Sequence, residues 1–256
     1  MASNQNKNQS RSLLAFRWLS ILILVFRGVL TLCFLFPLLS SEKKNREIKR
    51  WSNALLKTLN VRLEVDGIKN LPVTPFLLVS NHISWLDIQL LNAYKPISFV
   101  AKSEVARWPI FGWMAKQLGT LFIKRGDSKH ARMVVGQMTI ALREHSICIF
   151  PEGTSTAGDK VLLFKPNLFE AAIHRHVEVL PLALRYTDKR TGKLCLNAAF
   201  VGDLGFIASL HQVIRESNLS VHVQIGKTLS PNGHTRRTLA HLSHRSVSNQ
   251  LQSLHA

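Results

Sequence analysis

The stretch WLSILILVFRGVLTLCFLFPLL, residues 18–39, constrains this chain more than any other feature. Fifteen of its 22 residues are Leu, Ile, Val or Phe, and its single charge, Arg27, lies near the middle. At about −0.3 to −0.6 kcal/mol each, those fifteen favour bilayer insertion by roughly 5–9 kcal/mol. An arginine at mid-helix opposes insertion by about 2.5–3.5 kcal/mol. Insertion wins, so the segment is expected in or on a membrane. It is too long for the apolar core of a signal peptide, and no A-x-A-like site follows it. Lys7, Arg11 and Arg17 precede it; Lys43, Lys44, Arg46, Lys49 and Arg50 follow it. The heavier C-terminal cluster favours a cytoplasmic body. Both a spanning helix and a segment dipping into one leaflet fit the pattern.

The remainder is long enough, and at 46% hydrophobic apolar enough, for one large domain or two small ones. Lys and Arg outnumber Asp and Glu 33 to 15, a net charge of +18 that calls for an anionic partner. Nucleic acid, an anionic membrane surface and a phosphorylated or CoA-type substrate all qualify. The apolar segment points to lipid first and demotes nucleic acid. Cys33, Cys148 and Cys195 are odd in number and widely spaced, which gives neither a disulfide framework nor a CxxC-type zinc site. A reducing compartment is the simpler inference.

Beyond residue 60 the pattern alternates between strand and helix. Strands are expected at VRLEV (61–65), FLLVS (76–80), ISFVA (97–101), GTLFIKR (119–125), SICIF (146–150), VEVLPLAL (177–184), LNAAFV (196–201) and SVHVQIG (220–226). Helices are expected over 83–93, 107–118, 128–145, 203–217 and 235–251. Short apolar strands between helices argue an α/β fold, a mixed and largely parallel sheet with helices packed on it. The expected division is a basic polar N-terminus (1–17), a membrane-associated helical segment (18–59), an α/β domain (60–230) and a basic C-terminal helix or tail (231–256). Ligands in such sheets gather at the carboxyl ends of strands, where the notable residues fall.

In NHISWLD (81–87), His82 and Asp87 are five apart, about 140° around a helix, so they would not share a helical face. The pair makes sense if His82 leaves a strand and Asp87 opens the next helix. A carboxylate on one ring nitrogen fixes the tautomer and leaves the other nitrogen as a base. Asn81 fits a turn-shaping role. In FPEGTSTAG (150–158) a strand runs straight into Pro-Glu-Gly, where glycine lets backbone amides approach a ligand. Gly153-x-Ser155-x-Ala157 comes near a serine-hydrolase elbow, but an elbow needs a helix directly after the serine. Lys124 and Arg125 end another strand in GTLFIKRGD, where an arginine suits a phosphate. Lys165, in FKPN, adds a cation near the Pro-Glu-Gly loop. Each of these stretches alone has an ordinary structural reading. His241 and His244 make a poor metal site and suit a solvated helix better; no metal is expected.

At four stretches the sequence resembles the glycerolipid acyltransferase family, which contains the 1-acyl-sn-glycerol-3-phosphate acyltransferases. NHISWLD is similar to its Asn-His-x4-Asp block, GTLFIKR to its second block, FPEGTS to its third and VLPLAL to its fourth, in order and spacing, across roughly residues 60 to 200. The resemblance implies acyl transfer from acyl-CoA or acyl carrier protein to a lipid hydroxyl, with no cofactor beyond that co-substrate. It implies His82 as general base, Asp87 as its orienter, and Lys124 and Arg125 as ligands of the acceptor phosphate. Glu152, Gly153 and Thr154 would hold the acceptor or the loop, with Lys165 beside them. Backbone amides around Gly153 would meet the oxyanion. Two departures stand out: Ser155 where the family often has arginine, and Asn167 where it often has glycine after Lys-Pro.

The expected activity is a membrane-associated acyltransferase acting on a lysophospholipid. The preferred acceptor is 1-acyl-sn-glycerol-3-phosphate, giving phosphatidic acid; lyso-ornithine lipid or another lysophospholipid is the neighbouring alternative. The expected setting is a bacterial inner membrane with the catalytic domain on the cytoplasmic side. Rivals of another class are a Ser155-dependent lipid hydrolase and a non-catalytic basic membrane-binding protein, to which the tail RRTLAHLSHR would contribute.

Overall fold

The computed structural model describes residues 2–124 and 126–254, with side chains from Arg11 onward. The chain begins with helix α1 (Ala2–Leu30), continues through a π-turn (Thr31–Leu35) and a 3-10 turn (Phe36–Leu38), and reverses into α2 (Ser41–Thr58). Pro37 sits in the first turn of the 3-10 segment, where its missing N–H costs nothing. There follow β1 (Arg62–Asp66), β2 (Leu77–Ser80), α3 (Leu86–Tyr94), β3 (Ser98–Lys102), α4 (Phe111–Gln117), β4 (Leu121–Ile123) and α5 (Ser128–Ala141). The chain closes with β5 (Ile147–Ile149), α6 (Glu170–Arg175), β6 (Val179–Asp188), α7 (Phe206–Arg215), β7 (Leu219–Ile225) and α8 (Arg236–Ser253).

The strands form one sheet in the order β1-β7-β6-β2-β5-β3-β4. Every neighbouring pair is parallel except β6 with β7. Side chains alternate between its two faces, as the strand period of two requires. Leu78, Cys148, Leu180, Leu182, Leu184 and Tyr186 enter a core with α1, α2, α3 and α7. Leu77, Val79, Ile147, Ile149, Val179 and Ala183 enter a second core with α5, α6 and α8. Burying each large apolar side chain is worth about 1.5–3 kcal/mol, which is why the short strands read as unbroken apolar runs.

Two segments differ from the sequence pattern. LNAAFV is not a strand: residues Leu196–Ala198 form a 3-10 turn. Both hydrogen-bonding edges of β6 are already taken. β7 fills one. On the other, β2 ends opposite Leu182, and beyond it Cys195 N–H donates to the Tyr186 carbonyl at 3.0 Å and Asp188 N–H to the Lys193 carbonyl at 2.9 Å. No edge is left for LNAAFV, whose Ala198 and Ala199 amides bond locally within the turn, while Phe200 N–H donates to the Ile83 carbonyl at 2.8 Å. The helix expected over 107–118 is broken as well. A 3-10 segment (Ser103–Arg107) ends at Trp108, which is extended (ψ 125°) before Pro109. Ile110 then adopts φ 63° and ψ −58° in a γ-turn closed by Phe111 N–H on the Pro109 carbonyl at 2.6 Å. A β-branched residue at positive φ costs about 1–3 kcal/mol.

Helix α1 is fastened along one side. Arg17 Nη1 donates to the carbonyls of Ile214 (2.7 Å) and Glu216 (3.1 Å) at the C-terminal end of α7. Trp51 Nε1 of α2 donates to the Leu24 carbonyl at 2.9 Å. Gly28 makes that approach possible, since a Cβ there would lie 2.7 Å from Trp51 Nε1 and 3.1 Å from Met114 Cε of α4. The opposite side exposes Phe16, Leu19, Leu22, Ile23 and Phe26. Residues 11–38 have the length and apolar character to cross a membrane, with 17% of the most apolar window buried.

Two glycine replacements check this packing. Gly28→Ala is expected to lower stability by about 1–3 kcal/mol through overpacking against Trp51. Gly136→Ala in α5, where an added Cβ meets nothing within 4 Å, is expected to raise it by about 0.5–1 kcal/mol through helix propensity. Thermal unfolding in detergent, followed by near-UV circular dichroism, reads both signs.

Candidate active site

Strand β2 delivers the chain to the site and Asn81 ends the pairing. Its side-chain amide accepts from Leu184 N–H at 2.8 Å and donates to the Leu184 carbonyl at 2.9 Å, acting as one more peptide group of the ladder with β6. The backbone is thereby free to turn while the sheet's hydrogen bonds stay satisfied. Residues 82–85 form that turn, and α3 begins at Leu86.

Asp87, in the first turn of α3, is fully buried. Its Oδ2 accepts from Ile83 N–H (2.8 Å) and Ser84 N–H (3.1 Å) and pairs with His82 Nδ1 at 2.8 Å. Its Oδ1 accepts from the Tyr186 hydroxyl at 2.5 Å. Burial pushes the Tyr186 phenol well above its usual value, and the Asp87 charge adds to this, so the hydroxyl stays a donor. The helix start also favours a carboxylate electrostatically. The expected placement of His82 in the exit turn and Asp87 in the first helical turn is what the structure has.

The His82 ring stacks on Phe150 with centroids 4.1 Å apart and an 18° interplanar angle. With Nδ1 on Asp87, Nε2 is the other ring nitrogen; it has no hydrogen-bond partner among the described residues. The His82 side chain retains 22% exposure while Asp87 retains none, so one member of the pair meets solvent and the other is walled in.

Glu152 is buried, and both its oxygens are used: Oε1 accepts from His82 N–H at 2.7 Å and Oε2 from Leu162 N–H at 2.8 Å. It ties the His82 turn to the loop after β5 and does not project toward solvent. Burial raises its carboxyl to about 7, against the lowering effect of the two amide bonds and of nearby His82. Gly153 has φ +74°, a conformation suited to glycine. A Cβ there would meet Lys165 Nζ at 2.8 Å, so the ammonium lies over this glycine. Gly153 N–H is bonded to the Phe150 carbonyl at 3.0 Å and is not available to an oxyanion. Thr154 is exposed on the same loop.

Ser155 donates to the Phe200 carbonyl. Turns and irregular chain follow it rather than a helix, so the nucleophile elbow is absent. Lys124 is exposed one residue beyond β4, three strand positions from β2, about 14 Å at some 4.8 Å per strand. Parallel register puts the ends of β2, β5, β3 and β4 on one sheet edge, so Lys124 shares the edge with His82 without touching it. Arg125 lies outside the described residues. His244 Nε2 is 3.3 Å from the Val161 carbonyl, and no cluster of three metal-ligand side chains occurs among the described residues.

Sequence reasoning missed Tyr186, and Phe150 as a stacking partner; of the two uses expected for Glu152, acceptor or loop, the structure shows bonds that hold the loop. Tyr186 is 99 residues from Asp87. Its signal was the alternation in β6, which puts 186 on the face of 180, 182 and 184.

Comparison with known proteins identifies the family. A family model described as Acyltransferase matches residues 62–185. The lyso-ornithine lipid O-acyltransferase of Pseudomonas aeruginosa is 36% identical over 205 residues, 80% of this chain and 78% of that one. The 1-acyl-sn-glycerol-3-phosphate acyltransferase of Neisseria meningitidis serogroup B is 34% identical over 183 residues, 71% of each. The crystal structure of the 1-acyl-sn-glycerophosphate acyltransferase of Thermotoga maritima superposes with a TM-score of 0.71 over 98% of both chains at 21% identity, a likeness of fold. The chain is therefore an enzyme of the acyltransferase family that contains the lyso-ornithine lipid and 1-acyl-sn-glycerol-3-phosphate acyltransferases.

Proposed function

We propose that this enzyme moves a fatty acyl group from a phosphopantetheine thioester, acyl-CoA or acyl carrier protein, to the free hydroxyl of a lysolipid, most specifically a lysophospholipid. The observation that carries this reading is the 2.8 Å contact of His82 Nδ1 with buried Asp87, beside an Nε2 that has no hydrogen-bond partner among the described residues. Asp87 holds the ring with the proton on Nδ1, so Nε2 is the base. Nε2 takes the proton from the acceptor hydroxyl as its oxygen attacks the thioester carbonyl carbon. The tetrahedral intermediate collapses, the carbon–sulfur bond breaks, and the thiolate leaves with the proton from the imidazolium. With the Gly153 amide committed to Phe150, the oxyanion is assigned to the neighbouring Thr154 and Ser155 amides. Glu152 is assigned to holding the loop rather than the substrate.

The preferred acceptor is 1-acyl-sn-glycerol-3-phosphate. Lys165 over Gly153 and Lys124 on the same sheet edge suit a phosphomonoester, and Arg125 follows Lys124 in sequence. A second reading, lyso-ornithine lipid, is favoured by two observations. The relative matched over the larger share of this chain has that activity in its name. In addition, the position where the family often carries arginine is Ser155, whose hydroxyl is spent on Phe200. The +18 charge suits docking of CoA phosphates or an acidic carrier protein.

We assign the enzyme to the cytoplasmic face of a bacterial inner membrane, held monotopically. Contacts from Arg17 to Gly28 bind α1 sideways to the catalytic domain over roughly 16 Å of helix. A helix clasped over that length by a soluble domain offers lipid only its opposite side, which carries the exposed Phe16, Leu19, Leu22, Ile23 and Phe26.

Three measurements test the reading. Purified enzyme is assayed with both donors against a lysolipid panel; turnover of 1-acyl-sn-glycerol-3-phosphate at least tenfold above lyso-ornithine lipid is expected, and the reverse order selects the second acceptor. His82→Ala is expected to lower acyl transfer at least 10²-fold with vesicle binding unchanged; near-normal turnover would overturn the base assignment. Glu152 gives a pH signature. Folding raises its carboxyl from the usual 4.5 to about 7, so the folded state holds this proton more tightly than the unfolded chain. That contribution is fully present below pH 4.5 and lost as pH rises to about 7. The melting temperature of the native enzyme is therefore expected to fall relative to Glu152→Gln across this window and to run parallel to it above; a pH-independent difference would contradict the assignment.

A further inference from the structure

The segment WPIFGWM, residues 108–114, serves no part of the chemistry above, yet it carries the strained backbone of Ile110. Its side chains divide into two sets. Trp108 packs edge-on to Phe200 (6.0 Å) and tilted on Phe206 (5.0 Å), Phe111 packs on Phe206 (4.7 Å), and Met114 rests against Gly28 of α1. Gly112 lets the turn sit on the preceding 3-10 backbone, where a Cβ would meet the Ala106 carbonyl at 2.5 Å. Ile110 and Trp113 point the other way, 52% and 36% exposed, with Ile207 at 62% beside the shared partner Phe206. Glycine would relieve the Ile110 turn at no steric cost. Isoleucine there leaves a large apolar side chain projecting into solvent on a firmly anchored base, an outlier that asks for a functional reason.

We infer that Ile110 and Trp113 form a second lipid-inserting wedge, which works with α1 to set the tilt of the catalytic domain on the bilayer. This rests on the membrane-bound reading proposed above. The segment is fixed at its base to α1, where Met114 meets Gly28, and two features select lipid as the occupant. Exposed Arg107 and Lys116 flank the apolar tip, a pattern matched to an anionic leaflet. Tryptophan is also the side chain that settles at the headgroup level. With two contacts rather than one, the domain cannot roll about the α1 axis, so the carboxyl edge of the sheet keeps a fixed height above the lipid that supplies the acceptor.

The test uses the full-length protein with Cys33→Ser, since the other two cysteines are buried. A nitrobenzoxadiazole probe is placed on Ile110→Cys, Trp113→Cys, Gln117→Cys or Phe26→Cys. Each protein is bound to phosphatidylethanolamine–phosphatidylglycerol vesicles with or without spin-labelled lipid. Probes at 110, 113 and 26 are expected to shift to the blue and be quenched severalfold, while the probe at 117 stays in water. Quenching at 26 but not at 110 or 113 would overturn the wedge and leave α1 as the anchor. No quenching at 26 would remove the membrane reading and the wedge with it. A blue shift at 110 without lipid quenching would show a protein contact, such as a second copy of the chain, and overturn the proposal. Ile110→Gly, whose backbone fits the turn, is expected to lower the vesicle-bound fraction severalfold; unchanged binding would count against the wedge.

Discussion

One buried carboxylate organises the centre of this enzyme. Asp87 has no solvent, and an unpaired charge there would cost several kcal/mol. Four donors meet it: two backbone amides, an imidazole and a phenol. Each donor comes from a piece that must be in place for the site to exist. The Ile83 and Ser84 amides define the turn, Tyr186 brings in β6, and His82 brings the ring nitrogen assigned as base in the proposed mechanism. The constraint runs in both directions, because the fold needs the donors to bury the charge and the proposed chemistry needs the charge to hold the ring. On that mechanism, a substitution anywhere in this ring of contacts acts on folding and on catalysis together.

A second layer holds the first. Asn81 continues the ladder to β6 after the main chain has left it, and Glu152 clamps the His82 amide to the loop after β5. Both polar side chains are buried and paired, as interiors demand. The His82 ring is left with the Phe150 face on one side and solvent on the other. Its freedom is rotational at most, and the pairing with Asp87 removes even that.

Much of this was legible in the sequence because local patterns carried it. Short apolar runs marked the central strands, and the His-x4-Asp spacing was readable as a strand exit followed by a helix start. LNAAFV misled because apolar composition reports burial rather than a vacant sheet edge, and the edges of β6 are filled by β7, β2, Asn81 and the return of residues 193–195. The region around Pro109 misled because helical spacing of apolar residues persists through a γ-turn that periodicity does not sense. Tyr186 was out of reach for a different reason. Its role comes from a partner 99 residues away, and such a long-range pairing leaves no local trace; for Glu152 a loop-holding use was expected, but not the amide it grips 70 residues away.

The pairing of β1 with β7 sets an order of events during synthesis. Arg62 lies opposite Ser220 and Asp66 opposite Gln224, so the first of the seven strands must wait for the last. The helical hairpin ahead of β1 is finished long before that partner exists, and non-local pairing is the slow part of folding. On the membrane-bound reading proposed above, the growing chain reaches lipid while its sheet is still open on that side, and the domain closes on a surface it already occupies.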